Sequence, residues 1–417
     1  MKFNLAEFLI SVSKALDFIE IDLLGVSTNH SKRVAYIAWK IGATIALKRP
    51  EMFDLVSLAV LHDNGATMSL LPTEPHGNLS DKRMMMEKII SHCTLGEKNI
   101  QSFPFLTKPQ DVILCHHEND DGTGFFGRRK TEIPLLAQII HVADMLDLHF
   151  DLHLHAIGSK EREAIIDYVA KESGTLFSAI AAEAFCRVAV EERFWIGLTD
   201  DAIDTVIRAE IGSSVADYGL PKIRRITKTF SRIIDAKSAF TQIHSSALAA
   251  KMQKMTRFYG MDDELRMKLV IAADLHDLGK LGVSNAILDK EGKLTHEEFD
   301  EIKKHPGIAK ECLDAIAGFE EITEWIYEHH ERLDGSGYPR GLTAEQIGFN
   351  ARLLACLDIF QALHEDRPYR AKMNTPQALA IMRDMAHKNK IDAAVVDDIG
   401  VAFRTRRKSR YASFQTL

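Results

Sequence analysis

One set of histidines and aspartates occurs twice in this chain at nearly the same spacing, which restricts the fold to two copies of a single unit. In the second half His244, His276, His305, His329 and Asp358 are separated by 32, 29, 24 and 29 positions. In the first half His30, His62, His92, His116 and Asp144 are separated by 32, 30, 24 and 28 positions. The neighbours repeat too: His30-Ser31 with His244-Ser245, His62-Asp63 with His276-Asp277, and His116-His117-Glu118 with His329-His330-Glu331. Chance does not bring five such positions into register, and an internal repeat takes precedence over local readings of the fold.

The chain has 417 residues, enough for two domains of roughly 200 residues, each able to bury its own core. The repeat predicts a first unit over 1–190, a connector over 191–220 marked by Gly212-Ser213-Ser214 and Gly219-Leu220-Pro221, and a second unit over 221–417. Helical periodicity dominates and strand signals are sparse. Leu265, Leu269, Ala272, Ala273 and His276 share a helical face behind an acidic start at Asp262-Asp263-Glu264. Val34, Ile37, Ala38, Ile41 and Ile45 do the same over 33–48, and Glu163–Glu172 matches a helix after Gln377. The expected class is all-α, as two tandem helical bundles.

The formal charge of −7 gives no general nucleic-acid-binding surface, so no DNA partner is expected. An anionic substrate then requires a local cluster of cations or metals. The five cysteines form no Cys-x-x-Cys pair, and Cys93 and Cys115, beside candidate ligand histidines, are read as small packing residues. No signal peptide and no apolar run long enough to span a bilayer is visible, so a cytoplasmic, membrane-free protein is expected.

Imidazoles and carboxylates together suit iron, manganese, nickel or zinc. The adjacent pair His276-Asp277 suits a carboxylate that bridges two ions while its neighbour binds one of them. Two ions about 3.5–4 Å apart share a hydroxide and clamp a phosphate for in-line displacement. Lys280, four residues after His276, would add a cation on the same helical face. Arg367-Pro368-Tyr369-Arg370 would bring two guanidiniums to the same phosphates.

With His244, His276-Asp277, Lys280, His305, His329-His330-Glu331, Asp334-Gly335, Gly337-Tyr338-Pro339, Asp358 and Arg367–Arg370, the second half resembles the HD-GYP branch of the HD superfamily of metal phosphohydrolases. The resemblance implies a helical bundle with a di-iron or di-manganese centre, nickel or zinc being alternatives, that hydrolyses bacterial cyclic dinucleotides. By position it implies His244, His276 and Asp358 on one metal, and His305, His329 and His330 on the other. Asp277 would bridge them, and a metal-bridging hydroxide would be the nucleophile. Asp277 and Lys280 would then serve catalysis, with Lys280, Arg367, Arg370, Gly337, Tyr338 and Pro339 on the substrate. Glu331 would orient a ligand histidine. The Gly-Tyr-Pro loop would also offer a docking surface to diguanylate cyclase domains, and a homodimer is a further expectation. Phe240 stands where some members have an acidic ligand to a third metal, and Gln361 stands where many have an acidic residue.

The first copy keeps every ligand type, as His30, His62, Asp63, His92, His116, His117 and Asp144, and so offers a second metal site. Ala66 replaces Lys280, Phe125-Phe126 replaces Tyr338-Pro339, and His153 replaces Arg367. Three roles stay open for it: a metal-bound regulatory domain, a second active site, or a packing remnant. For the whole chain the main reading is a phosphodiesterase opening cyclic di-GMP or 3′,3′-cyclic GMP-AMP to a linear dinucleotide. A metal- or nucleotide-sensing regulator without turnover and an HD-type mononucleotide phosphohydrolase are the alternatives.

Overall fold

The computed structural model describes residues 2–24, 28–66, 82–153, 157–211, 216–238, 243–366 and 370–404. The two halves carry matching helices. His30–Thr44 corresponds to His244–Phe258, Arg49–Val60 to Asp263–Leu275, and Leu135–His149 to Phe349–Leu363. Ser159–Lys171 corresponds to Thr375–His387, and Ala179–Ala189 to Ala393–Ala402. The fold is all-helical except for one two-residue antiparallel pair among the described residues, Lys2–Phe3 with Ala216–Asp217. Each of these strands precedes the first helix of its own half.

Those first helices join the halves by exchange. Leu220–Asp235 is amphipathic, with Ile223, Ile226, Phe230 and Ile233 buried at helical spacing and Arg225 and Lys228 exposed. It packs on Asp263–Leu275 of its own half and on Lys82–Ile100 of the other. In its described part Leu5–Leu24 buries Phe8, Leu9, Ile10, Val12, Ala15 and Leu16 and leaves Lys14 exposed. It lies against its own half and against the 278–282 turn and the His305–Leu313 helix of the second. Phe3 stacks on Phe319 with ring centroids 5.6 Å apart, and Phe8 meets Phe230 edge-on at 5.2 Å. A single connected apolar core consequently runs through both halves.

The stretch expected as a connector is more ordered than its turn signals implied. It holds the helices Glu192–Ile196 and Ile203–Glu210, and Phe194, Trp195, Leu198, Ile203 and Ile207 are buried. Asp200 accepts from Nη1 of the buried Arg33 at 3.0 Å, tying this stretch to the first copy. Gly212-Ser213-Ser214 lies outside the described residues. Among the described residues no helix is long and apolar enough to cross a membrane.

Candidate metal centre

Most of the second half's ligand-type side chains sit at helix ends, where the backbone turns and a side chain can point across the bundle. His244 opens the His244–Phe258 helix, whose orphan amide at Ser245 is taken by the Asp235 carboxylate at 2.8 Å. The first copy repeats the arrangement with Ser31 N donating to Asp17 at 3.1 Å, which explains the repeated His-Ser. His276 is the C-cap of Asp263–Leu275, a helix started by Asp262 accepting from Leu265 N at 2.8 Å. His305 opens its helix, His329 closes Glu320–Glu328, and Asp358 lies inside Phe349–Leu363.

A glycine makes the close approach of these segments feasible. A Cβ on Gly279 would lie 1.9 Å from the carbonyl oxygen of His305, and one on Gly65 would lie 2.1 Å from that of His92. The turn after each His-Asp pair therefore rests directly on the backbone of the next ligand histidine.

In the second half two groups of donors face each other: His244, His276 and Asp358, and Asp277, His305, His329 and His330. Asp277 stands between them. Its Oδ1 is 3.5 Å from His305 Nε2 and 4.0 Å from His329 Nε2. Its Oδ2 is 3.3 Å from His276 Nε2 and 4.0 Å from His244 Nε2. Asp358 Oδ1 is 3.1 Å from His244 Nε2.

Backbone bonds set the tautomers. His276, His305 and His329 each donate Nδ1–H to the carbonyl three residues back, at 3.1, 2.7 and 2.6 Å. The Nε2 lone pairs are left facing the cluster, as a metal ligand requires. Burial drives His305 down to about 3 and His329 down to about 4. Burial opposes ionisation of Asp277, but His276 and Lys280 outweigh it and hold the carboxyl well below the usual range. Buried Asp358 is held down likewise, by His244. For His305, His329, Asp277 and Asp358 these directions give neutral imidazoles and ionised carboxylates, the protonation states a cation selects.

The donor set also contains orphaned buried polar atoms. Asp277 Oδ1, His244 Nε2 and His276 Nε2 are buried without a hydrogen-bond partner, as are Asp63 Oδ1 and Asp144 Oδ2 in the first copy. The residues present fit divalent metal ions.

Several expected roles change in detail. The helix ends at Leu275, so Lys280 is not on a shared helical face with His276; it sits in a separate 3-10 turn, Leu278–Gly282. Its Nζ nevertheless reaches Asp277 Oδ2 at 2.7 Å. Glu331 does not orient a histidine: its two oxygens accept from Arg340 N at 2.6 Å and Leu342 N at 2.9 Å, tethering the Gly-Tyr-Pro loop. Glu118 holds Phe126 N and Arg128 N in the same way at 2.8 and 2.7 Å. Gly337 is needed here, since a Cβ would meet Arg332 N at 2.3 Å. Tyr338 lies over His330 with ring centroids 4.8 Å apart, beside Pro339. Arg370 caps a helix, donating to the carbonyls of Ala362 at 2.7 Å and Leu363 at 3.3 Å, so gripping a phosphate requires it to leave both. Arg367, Pro368, Tyr369 and Phe240 lie outside the described residues.

Two side chains at the site were not foreseen. Glu365 accepts from His244 Nδ1 at 3.0 Å, and Gln361 Nε2 donates to Glu365 at 2.6 Å. In the first copy Asp147, at the position matching Gln361, holds His30 Nδ1 at 2.7 Å. The second copy thus replaces that carboxylate with one four residues later, a full turn along the chain. Burial lowers His244, but Asp358 and Glu365 outweigh it and raise it to about 9.

The other is Cys93. The first copy also has two donor groups: His30, His62 and Asp144, and His92, Cys93, His116 and His117. Asp63 Oδ1 is 3.3 Å from His92 Nε2 and 3.5 Å from His116 Nε2, and its Oδ2 is 3.6 Å from His62 Nε2. Cys93, expected only to pack, has its Sγ 3.6 Å from His92 Nε2. Burial raises the thiol, but His116 and His92 outweigh it and bring it down to about 7. Phe125 replaces Tyr338 against its histidine, with the His117 and Phe125 centroids 6.0 Å apart. Arg128 pairs with Asp111 at 2.9 Å.

The HD domain family model matches residues 20–177 and again 228–395. The 3′3′-cGAMP-specific phosphodiesterase 3 of Vibrio cholerae is 30% identical over 432 residues, covering 92% of each protein. The 3′3′-cGAMP-specific phosphodiesterase 1 of the same organism is 28% identical over 405 residues, covering 95% of this chain and 91% of its own. Among solved structures, a cyclic GMP-AMP-specific phosphodiesterase of Vibrio cholerae, V-cGAP3, superposes with a TM-score of 0.63 at 26% identity. That match covers 96% of this chain and 98% of the other. With the HD model matched in both halves and relatives aligned over nearly the full length, the chain belongs to the HD domain family.

Proposed function

We propose that this protein is a metal-dependent phosphodiesterase that opens a cyclic dinucleotide to its linear form, with 3′,3′-cyclic GMP-AMP preferred over cyclic di-GMP. The observation that carries the reading is Asp277, buried between two groups of imidazoles, with one oxygen toward each and Oδ1 lacking a hydrogen-bond partner. The substrate preference rests on the two relatives aligned over nearly the whole chain, both named for that dinucleotide.

In this reading His244, His276 and Asp358 would hold one divalent ion, His305, His329 and His330 would hold the other, and Asp277 would serve both. Iron or manganese suits this all-nitrogen and oxygen set, with nickel or zinc as substitutes. When bound, such a pair supplies an activated water near neutral pH and neutralises charge on the diester. Lys280, held against Asp277, presents its ammonium to a non-bridging phosphate oxygen. Arg367 and Arg370 grip the second phosphate. Gly337, Tyr338 and Pro339, on a loop tethered by Glu331, wall the substrate beside His330.

The half from 221 onward is assigned to catalysis and 1–190 to regulation, joined through 191–220. The absence of a lysine at Ala66 supports that division. The reading extends to a cytoplasmic protein, to a homodimer, and to a diguanylate cyclase domain docking on the Gly-Tyr-Pro loop.

The test is incubation of manganese- or iron-loaded protein with each cyclic dinucleotide, followed by chromatography of the products. The expected result is a linear dinucleotide, formed faster from cyclic GMP-AMP. Failure to cleave either compound with both metals bound overturns the proposal. Equal or faster cleavage of cyclic di-GMP overturns the preference.

A further inference from the structure

The two copies differ in one donor that the repeat itself does not require. Where the second copy has His305-Pro306, the first has His92-Cys93. Pro306 brings no ligand atom, whereas Cys93 turns its sulfur into the histidine group.

Two of the donor spacings are those of a coordination shell, and all four ligand atoms lie within 4.8 Å of one another. Zinc binds imidazole nitrogen at about 2.0–2.1 Å and thiolate sulfur at about 2.3 Å, so a tetrahedron has edges of about 3.3 Å between nitrogens and about 3.6 Å between sulfur and nitrogen. Here His92 Nε2 and His116 Nε2 are 3.3 Å apart, and Cys93 Sγ is 3.6 Å from His92 Nε2. His117 completes the group, with a ring nitrogen within 4.8 Å of the other three ligand atoms, while its Nδ1 lies 3.6 Å from Asp144 Oδ2. His116 has its Nδ1–H committed to the Ile113 carbonyl at 2.6 Å, so its Nε2 faces the group.

Asp63 gives an independent indication. It is 8% exposed, its Oδ1 has no hydrogen-bond partner, and that atom lies 3.3 and 3.5 Å from the Nε2 atoms of His92 and His116. A thiolate and this carboxylate together carry the two negative charges that balance a buried dication.

We propose that the first copy holds a zinc ion through Cys93, His92, His116 and His117, a closed site that differs in metal and in purpose from the cluster of the second half. A soft thiolate favours zinc over manganese. Four protein donors leave no place for a reacting water, the arrangement of structural rather than catalytic zinc. Binding releases the thiol proton to solvent and changes no oxidation state. The same closure accounts for a copy that keeps the ligands but has Ala66 and Phe125 where the other has Lys280 and Tyr338.

The experiment uses the full-length chain loaded with cobalt(II) in place of its native metals, together with zinc analysis of the protein as purified. Thiolate bonded to cobalt gives a near-ultraviolet charge-transfer band that imidazole and carboxylate ligands do not. The wild type is expected to show this band, and Asp277→Ala and Cys115→Ser to retain it. Cys93→Ser is expected to lose the band and to release zinc to a chelator at least tenfold more readily. A band that survives in Cys93→Ser overturns the proposal. If Cys93→Ser fails to fold, the wild type decides: folded, cobalt-loaded protein without the band overturns it equally. The readout is independent of phosphodiesterase activity, so its failure leaves the reading of the second half untouched.

Discussion

Glu365 is the most informative side chain to remove, because it supports a ligand without being one. Its carboxylate holds the Nδ1–H of His244 at 3.0 and 3.1 Å, and the two side chains are only 10% and 2% exposed. In Glu365→Ala that buried N–H has no acceptor. Orphaning a buried donor costs about 1–3 kcal/mol, and loss of a partner behind a metal ligand typically weakens metal binding by about 10–100-fold. The two figures agree, since about 1.4 kcal/mol is a factor of ten. Glu365→Gln keeps an oxygen acceptor at the same place and is expected to lose roughly threefold. Competitive titration of manganese into the metal-stripped protein, with kcat/KM measured in parallel, reads the effect. The reasoning is refuted if Glu365→Ala matches the wild type within twofold in both quantities. His244 would then be held by packing alone.

Other variants test separate parts of the account. Asp277→Ala removes the carboxylate facing both donor groups and is expected to reduce turnover at least ~1000-fold, whereas Asp63→Ala leaves it within about threefold; the reverse order, in a product assay, moves the chemistry to the first half. Gly279→Ala places a Cβ 1.9 Å from the His305 carbonyl oxygen. It should lower stability by about 2 kcal/mol and Tm by roughly 4–8 °C in a thermal melt, and an unchanged Tm contradicts the packing described. Arg370→Ala is expected to raise KM about tenfold, with a smaller loss of Tm; a lower Tm with normal KM assigns it to the helix end only. Phe8→Ala removes the ring between Phe230 and Phe319. It should cost about 3–5 kcal/mol and split calorimetric unfolding into two transitions, and a single unshifted transition rules out the coupling.

Much of the site was legible because the ligand-type residues keep a spacing that packing alone does not impose. The intervals between ligands survive in both halves, and the structure brings those same side chains together. What spacing could not convey was local geometry. The i, i+4 spacing puts Lys280 on the helical face of His276, but the helix ends at Leu275 and the lysine arrives from a separate turn, whose Gly279 rests on His305. Gln361 stands where many members carry an acidic residue, yet the carboxylate on His244 comes from Glu365, a shift invisible without the imidazole it serves. Glu331 follows two ligands in sequence, but its side chain points back to the loop amides. Cys93 reads as an ordinary buried thiol by composition, and the signal that distinguishes it is its alignment with Pro306. The 191–220 stretch showed its turns, but not that Phe194 and Trp195 between them complete the core of the first half.

The chemistry proposed for the second half depends on a pair of metal ions gathered around Asp277. Anomalous diffraction from crystals of the purified, manganese-loaded protein addresses it without reference to activity. Two peaks about 3.5–4 Å apart are expected, one on each side of the Asp277 carboxylate. A fully loaded protein with one peak or none in the second half would contradict it.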